Sequence, residues 1–493
     1  MTILLIANRG EIVTRIARTA RELGWRIATI YEPDDRRSPH VRVGDIALEV
    51  DSYTSIDSVV EAALRAGADI VHPGYGFLSE NPEFAKKLLD LGILWAGPTP
   101  EKMKLLGDKI EARRLAEQAG VPVLPWCEVA DLGEALRCAE DIGYPVVVKA
   151  SNTGGGRGQR IARNGEELVR AFQLVELEAR GWGRPRIFVE KFVENARHIE
   201  VQILADRYGT IVHLYERECS VQRRRQKIVE EAPSPLTARR EKLRNQLLSY
   251  ALQLSEYTGY DGIGTLEFIY DPKSNQFYFI EANTRLQVEH GVTEMVTGVD
   301  IVKHQLLTGL EKPLSLHQSE ITVRGWAVEA RVYAEKILDN FAPAEGVVTK
   351  LRMPSGPWLR VDSTIEEGYH VNPKYDTLLA KIIAWGTDRL EAVKRLEIAL
   401  KETVIGGVET NLDLLRELLA SEEFIKADYH TLFLENTLDR IRRKIVEKLQ
   451  TLKEIVSKIN MPQILQLKTP NNRLHEMRWR AYGWLAASTR SRY

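Results

Sequence analysis

The sequence predicts a mixed α/β and α+β chain: an N-terminal doubly wound, mostly parallel sheet, then a central α+β region, then a smaller C-terminal α+β region. Three observations predict it. Residues 1–100 alternate strand-like and helix-like stretches, the pattern that lays helices on both faces of a parallel sheet. Residues 121–310 carry apolar strands at antiparallel spacing, and residues 324–435 run from short strands into helices. A length of 493 residues leaves room for about three such units at roughly 100–200 residues each.

In order, TILLIAN reads as a first strand, residues 11–23 as an amphipathic helix, RIATIYE as a second strand, and ADIVHPGYG and ILWAGP as later strands. The first turn carries only Gly10, so a dinucleotide fingerprint is missing and nicotinamide redox chemistry is poorly supported. Pro98 and Pro100 punctuate a boundary, and EKMKLLGDKIEARRLAEQAG reads as one helical stretch that Gly120 stops. VVVKA, RIFVEKF, HIEVQILA and GTIVHLYE are the central strands. RGWAVEARVYAE, VVTKLRMP and WLRVDS open the third region, and AVKRLEIALKE and TNLDLLRELLASEEF close it with helices. Expected domain limits are 1–108, 109–310 and 324–435. A tail over 436–493 sets Ile441, Ile445, Leu449, Leu452, Ile455 and Ile459 on one helical stripe.

Composition narrows the classes. Sixty-eight Lys and Arg against sixty-nine Asp and Glu leave almost no net charge, and 44 % apolar residues suit a globular protein. No run approaches the roughly 18 apolar residues of a membrane span, and MTILLIANRG lacks the basic start of a signal peptide. Cys127, Cys138 and Cys219 are too few and scattered for a disulfide framework or zinc knuckle, which suggests a reducing cytoplasm. From residue 441 onward twelve Lys or Arg face three Asp or Glu. A solvated helix face accounts for that excess, as would an acidic partner or nucleic acid.

Four features carry chemistry. VVVKASNTGGGRGQRI ends an apolar strand in Lys149 and continues into a loop with Gly154, Gly155, Gly156 and Gly158, where backbone amides can approach a phosphate. It lacks the Lys-Ser/Thr ending of a P-loop, and Lys149 at that place calls for an anion. In GTLEFIYDPKSNQFYFIEANTRLQVEH, DPKSNQ reads as a hairpin turn. If Asp271 pairs with Phe277, Glu267 falls opposite Glu281 on one face, β-carbons roughly 5 Å apart, with Asn283 beside them. Facing carboxylates repel unless a cation sits between them, and hard oxygen donors suit Mg²⁺. For two isolated glutamates a surface ion pair is the commoner reading. Here the strand runs on into Arg285, Gln287, Glu289 and His290, so an arginine for developing charge and a carboxylate base follow directly. In ERECSVQRRRQKIVEEAP, strand alternation puts Arg223, Arg225 and Lys227 on one face, where they could grip a small anion. The flanking glutamates favour an internal, neutralised network over a nucleic-acid patch. Lys109 and Lys191 are further cations, of a kind most often solvated.

Taken together, ANRGEI, HPGYGFLSEN, GDK, the strand-lysine-glycine loop, EK with RHIE, QRRRQK with EEAP, LEF, and EANTRLQVEH with VTE resemble the biotin carboxylase subunit of biotin-dependent acyl-CoA or pyruvate carboxylases, in the ATP-grasp superfamily. The resemblance covers residues 1–435. It implies a central ATP-grasp domain and a reaction in which ATP phosphorylates bicarbonate and carboxyphosphate delivers CO₂ to the ureido N1 of biotin. It implies that Lys109, Lys149, Gly155, Gly156 and Arg225 meet the ATP phosphates, that Glu190, Lys191, Phe192 and Val193 frame the adenine, and that His198 reaches the ribose. It implies further that Glu267, Glu281 and Asn283 ligate Mg²⁺ or Mn²⁺ and that Lys227, Arg285, Gln287 and Val288 cradle bicarbonate. Glu289 is then the base, Arg285 stabilises the biotin enolate, and Arg331 lies near biotin. Thr153, Gln159, Arg225 and Gly291 depart from the family's usual pattern. With no Ala-Met-Lys-Met sequence, biotin is expected on a separate carrier protein, with a carboxyltransferase for second partner and a homodimer as the assembly; neither nucleic acid nor membrane is expected as a partner. Another ATP-grasp carbon-nitrogen ligase and a non-catalytic scaffold are the competing readings.

Overall fold

The N-terminal sheet is five-stranded and wholly parallel, in the order Ile46–Glu49, Arg26–Tyr31, Ile3–Ile6, Ile70–His72, Leu94–Trp95. The first strand in sequence lies at the centre, so the chain winds out both ways, as the alternation predicts. These and all later descriptions come from a computed structural model that describes residues 1–151, 158–180 and 186–458. Helices Glu11–Glu22, Ile56–Ala66 and Pro82–Asp90 connect the strands, and the Ser55 and Asn81 side chains cap the last two by accepting from Ser58 and Phe84 N–H groups.

The stretch read as one helix breaks in two, Pro100–Gly107 and Lys109–Gln118. Asp108 is the cause. Its carboxylate accepts the N–H groups of Ile110 and Glu111, which starts a new helix with Lys109 at its first position.

Two antiparallel sheets follow. A four-stranded sheet runs Trp126–Val129, Ile187–Lys191, Val146–Ala150, Gln159–Ala162 and packs Val146, Val148 and Val189 against helices Leu132–Ile142 and Gly165–Arg180. Here Cys127 and Cys138 are joined as a disulfide, contrary to the reading from spacing. Strand Trp126–Val129 leads directly into helix Leu132–Ile142, and the helix folds back so that the two Cα atoms stand 6.3 Å apart. A reducing compartment therefore no longer follows from the cysteines. Thiol titration of the denatured, unreduced protein is expected to find Cys219 alone, and all three cysteines after reduction; three thiols before reduction would remove the bond.

The eight-stranded sheet is ordered Gln276–Asn283, Gly262–Asp271, Arg197–Ala205, Ile211–Arg223, Gln226–Ala232, Trp326–Tyr333, Leu378–Gly386, Leu359–Ser363. Strands from the central and third regions thus form one continuous surface, joined where Val229 to Ala232 pair with Ala330 to Ala327. Helix Glu241–Tyr257 covers one end through Leu247, Ala251 and Leu254, and helices Arg389–Glu402 and Leu412–Leu419 cover the other. The helix Phe433–Lys458 packs its first half on this body. Ile441 and Ile445 are buried in the same core and Leu449 is half-buried against it. Burial of such a side chain stabilises by roughly 1.5–3 kcal/mol, so the start of the tail caps this body. Ile459 lies outside the described residues. Among the described residues no helix is long and apolar enough to cross a membrane.

Candidate active site

The acidic hairpin reaches the expected pairing by an unexpected route. Its turn is one residue tighter than predicted, with Asp271 opposite Gln276 and Tyr270 opposite Phe277, and Asn275 takes a left-handed φ of 55° to make it. That register alone would put Ile280 across from Glu267. A bulge at Ile280 adds the missing residue, because Phe268 pairs with Phe279 and Glu267 with Glu281. Asn283 donates to Glu267 Oε1 at 2.9 Å, and Lys109 Nζ, presented by the helix that Asp108 starts, lies 3.2 Å from Glu281.

The arginine-rich segment is a hairpin, not one strand. Arg224 and Arg225 form its two-residue turn with φ of 48° and 69°, Arg223 pairs with Gln226, and Gln222 with Lys227. Arg223, Arg225 and Lys227 therefore do not share a face. Arg223 is bound to Glu335 at 2.5 Å, Arg224 donates its N–H to Glu435, and Arg225 Nη1 donates to Gln159 Oε1 at 2.6 Å. Only the Arg223–Glu335 pair is internal as expected; Arg224 is exposed, and the carboxylates that Arg223 and Arg224 meet are distant in sequence rather than flanking. Gln159 and Arg225, two departures from the family's pattern, meet one another.

Lys227 is the hub of the site. Its ammonium contacts Glu200 Oε2 at 2.5 Å, Glu267 Oε1 at 2.9 Å and Glu289 Oε1 at 2.6 Å. Burial works against its charge, yet the three carboxylates raise its pKa well above the usual lysine value. Burial likewise works to raise Glu289. Lys227, Arg331 and Arg217 overcome it and hold that carboxyl well below its ordinary range. Arg331 Nη2 lies 2.9 Å from Glu289 Oε2. Glu267 is depressed for the same reason, by Lys227 and by His198 Nε2 at 2.8 Å. An ionised carboxylate sheltered from water and aimed into a cavity can accept a proton, and its basicity rises once substrate draws Lys227 or Arg331 away from it.

Arg285 Nη1 donates to Gln287 Oε1 at 3.0 Å, its Nη2 to Asn283 Oδ1 at 3.0 Å, and its Nε lies 3.1 Å from Glu80. The Val288 carbonyl accepts from Lys381. At the other end Lys149 and Arg113 both bind Glu190, and burial lowers the Lys149 pKa to about 8 although Glu190 partly restores it. Lys191 Nζ donates to the carbonyls of Gly143 and Tyr144.

One cavity of about 1060 Å³ gathers these residues: Lys149, Glu190, Lys191, Phe192, Val193, His198, Arg225, Lys227, Glu267, Glu281, Asn283, Arg285, Gln287, Val288, Glu289 and Arg331 all line it. Lys109 joins through Glu281. Gly155, Gly156 and Thr153 lie outside the described residues. The two facing carboxylates of the acidic hairpin suit a hard divalent cation, and the Asn283 amide oxygen, which accepts from Arg285, would turn to join them. A second convergence, His198, Glu200 and Glu267, brings its ligand atoms within 4.8 Å of one another, but Lys227 and Arg217 already compensate its charge. Sequence reasoning missed Arg113, Arg217, Glu80 and Glu200. Only Glu200 carried a local signal, since on a strand it shares the face of His198.

Known proteins match this chain across all three regions. Family models described as biotin carboxylase N-terminal domain, carbamoyl-phosphate synthase L chain ATP-binding domain and biotin carboxylase C-terminal domain match residues 1–103, 108–317 and 329–436. The chain is 42 % identical over 471 residues to a pyruvate carboxylase subunit of Methanothermobacter thermautotrophicus, covering 93 % of this chain and 95 % of that protein. It is 43 % identical over 441 residues to biotin carboxylase 1 of Bacillus subtilis, covering 88 % and 98 %. Its structure resembles the biotin carboxylase domain dimer of Hydrogenobacter thermophilus 2-oxoglutarate carboxylase, solved with MgADP, ADP and bicarbonate, at a TM-score of 0.86 and 41 % identity over 88 % of this chain and 97 % of that one.

Proposed function

The chain belongs to the biotin carboxylase family, enzymes of the ATP-grasp fold, and from that premise we propose that it uses ATP and bicarbonate to carboxylate biotin on a separate carrier protein through carboxyphosphate. One observation carries the reading. Glu289 is held ionised between Lys227 and Arg331, in the same cavity as the facing pair Glu267 and Glu281.

In this reading the nucleotide lies between the two sheets. Lys109, Lys149 and Arg225, with the amides of Gly155 and Gly156, receive its phosphates, Glu190, Lys191, Phe192 and Val193 border its base, and His198 faces its ribose. Glu267, Glu281 and Asn283 would hold Mg²⁺ or Mn²⁺, and the ion would supply positive charge to offset that of the phosphates. Lys227, Arg285, Gln287 and Val288 orient bicarbonate, and Glu289 takes its proton as the bicarbonate oxygen attacks the γ-phosphorus and ADP leaves. The carboxyphosphate formed then parts into CO₂ and phosphate, and the phosphate takes the biotin N1 proton as N1 bonds to CO₂. Arg331 and Arg285 then offset the negative charge that develops on the biotin ureido group. Carboxyltransferase chemistry belongs to a partner protein, and the working form of this chain is a homodimer.

Phosphate release from ATP, measured with and without bicarbonate and with and without free biotin, tests this. Turnover is expected to need bicarbonate and to rise with biotin. Hydrolysis indifferent to bicarbonate would favour another carbon-nitrogen ligase of the same fold, and failure to bind ATP would favour a scaffold.

A further inference from the structure

Behind Arg331 the continuous sheet buries two glutamates face to face. Glu230 and Glu329 are cross-strand partners, and both side chains are fully buried. Among the described residues neither carboxylate oxygen of Glu329 has a hydrogen-bond partner. The ammonium that acts on it, Lys381, is committed to the Val288 carbonyl and to Glu11 and Asp362 at 3.4 Å and 3.7 Å. Glu230 has one charged partner, Arg331, which also serves Glu289. Two buried carboxylates therefore share one guanidinium, and a third, Glu329, stands beside them without a partner among the described residues.

We propose that Glu230 and Glu329 hold a proton between them in the resting enzyme and act as positioning residues, keeping the Arg331 charge available to Glu289 and the substrate. The proposal rests on the reading of Glu289 and Arg331 given above. Two buried carboxylates directly opposite on neighbouring strands, without a dedicated cation, cannot both ionise at ordinary cost. While the pair keeps its proton, Glu230 does not fully neutralise Arg331. When the pair ionises, Arg331 is claimed from behind and its hold on Glu289 weakens. The groups facing Glu230 are Glu329, Arg331, Tyr333, Glu289, Lys227 and Cys219; those facing Glu329 are Glu230, Lys381, Arg331, Glu289 and, past Gly291, Arg360. Burial outweighs the cations among them, raising Glu230 to about 7 and Glu329 well above the carboxylate range. The sign is clear: a proton held at neutral pH is lost as pH rises.

The test joins a spectrum to a rate. The infrared difference between wild type and Glu329→Gln, recorded at neutral pH without ligands, is expected to show the carbonyl band of a protonated carboxylic acid. Because Glu329→Gln replaces a buried group, Glu230→Gln serves as the second variant, in which that band must change frequency. The alkaline limb of kcat/KM for bicarbonate should vanish in both variants. At neutral pH Glu329→Gln should lose about tenfold, because Glu230 then stays ionised against Arg331, and Glu230→Gln should lose less. Absence of the band, or an alkaline limb unchanged in both variants, would overturn the proposal. A protein without bicarbonate-dependent turnover would sink the proposed function and leave the infrared result standing.

Discussion

Replacing Glu289 by glutamine is expected to cut bicarbonate-dependent ATP turnover roughly 10²–10⁴-fold, the range a positioned general base contributes. Glutamine keeps the shape and can still accept from Arg331, so nucleotide affinity should change little. The loss belongs to the proton-transfer step. The pH profile gives a second reading. Burial alone would raise the Glu289 pKa, but Lys227, Arg331 and Arg217 depress it well below the ordinary value. The base is therefore already ionised above the usual carboxylate pKa of about 4.3, and Glu289 should impose no acid limb on wild-type turnover at mildly acidic pH. Turnover in Glu289→Gln above a tenth of wild type, at saturating bicarbonate, would remove Glu289 from the role of base.

The sequence made much of this visible because strand and helix periods are local. Alternation in the first hundred residues is enough for a doubly wound sheet, and the facing pair Glu267 and Glu281 follows from two aromatic-rich strands about one turn. The pairing came out right through compensation: the turn is shorter than its composition suggests, and a bulge at Ile280, which has no sequence signature, restores the register. Asp108 in GDK was a legible cap, although the periodic stretch around it read as uninterrupted. The face assignment of Arg223, Arg225 and Lys227 failed because the turn is made by two arginines at positive φ, where glycine or asparagine normally marks the site. Arg113 and Glu190 stand 77 residues apart, and Glu230 meets Glu329 only because the central and third regions share a sheet. Such contacts are written in tertiary pairing, which no local period reports. The Cys127–Cys138 bond joins neighbouring elements and was hidden for another reason, since its spacing matches no familiar framework.

Lys227→Met is expected to destabilise the fold by about 3–5 kcal/mol at neutral pH, the range for removing one partner from a buried charge network. A methionine fills a similar volume, so the loss would be electrostatic. Among the described residues Lys227 alone touches Glu200, Glu267 and Glu289 together, and the remaining cations serve them unequally: Arg217 keeps Glu200, Arg331 keeps Glu289, and Glu267 keeps His198. Glu267 and Glu289 have folded-state pKa values below their unfolded ones, so in wild type their contribution is present above about pH 4.3 and lost as pH falls through the depressed values. In Lys227→Met burial is opposed only by Arg331 and Arg217 at Glu289 and by His198 at Glu267, and the two carboxyls should titrate at higher pH. Acidification then protonates them and removes the uncompensated charge. The stability gap between variant and wild type should therefore narrow as pH falls from 7 toward about 5, and urea unfolding at a series of pH values reads it directly. A gap that stays constant over that range, or a variant as stable as wild type at neutral pH, would mean that Lys227 does not hold the three carboxylates in place.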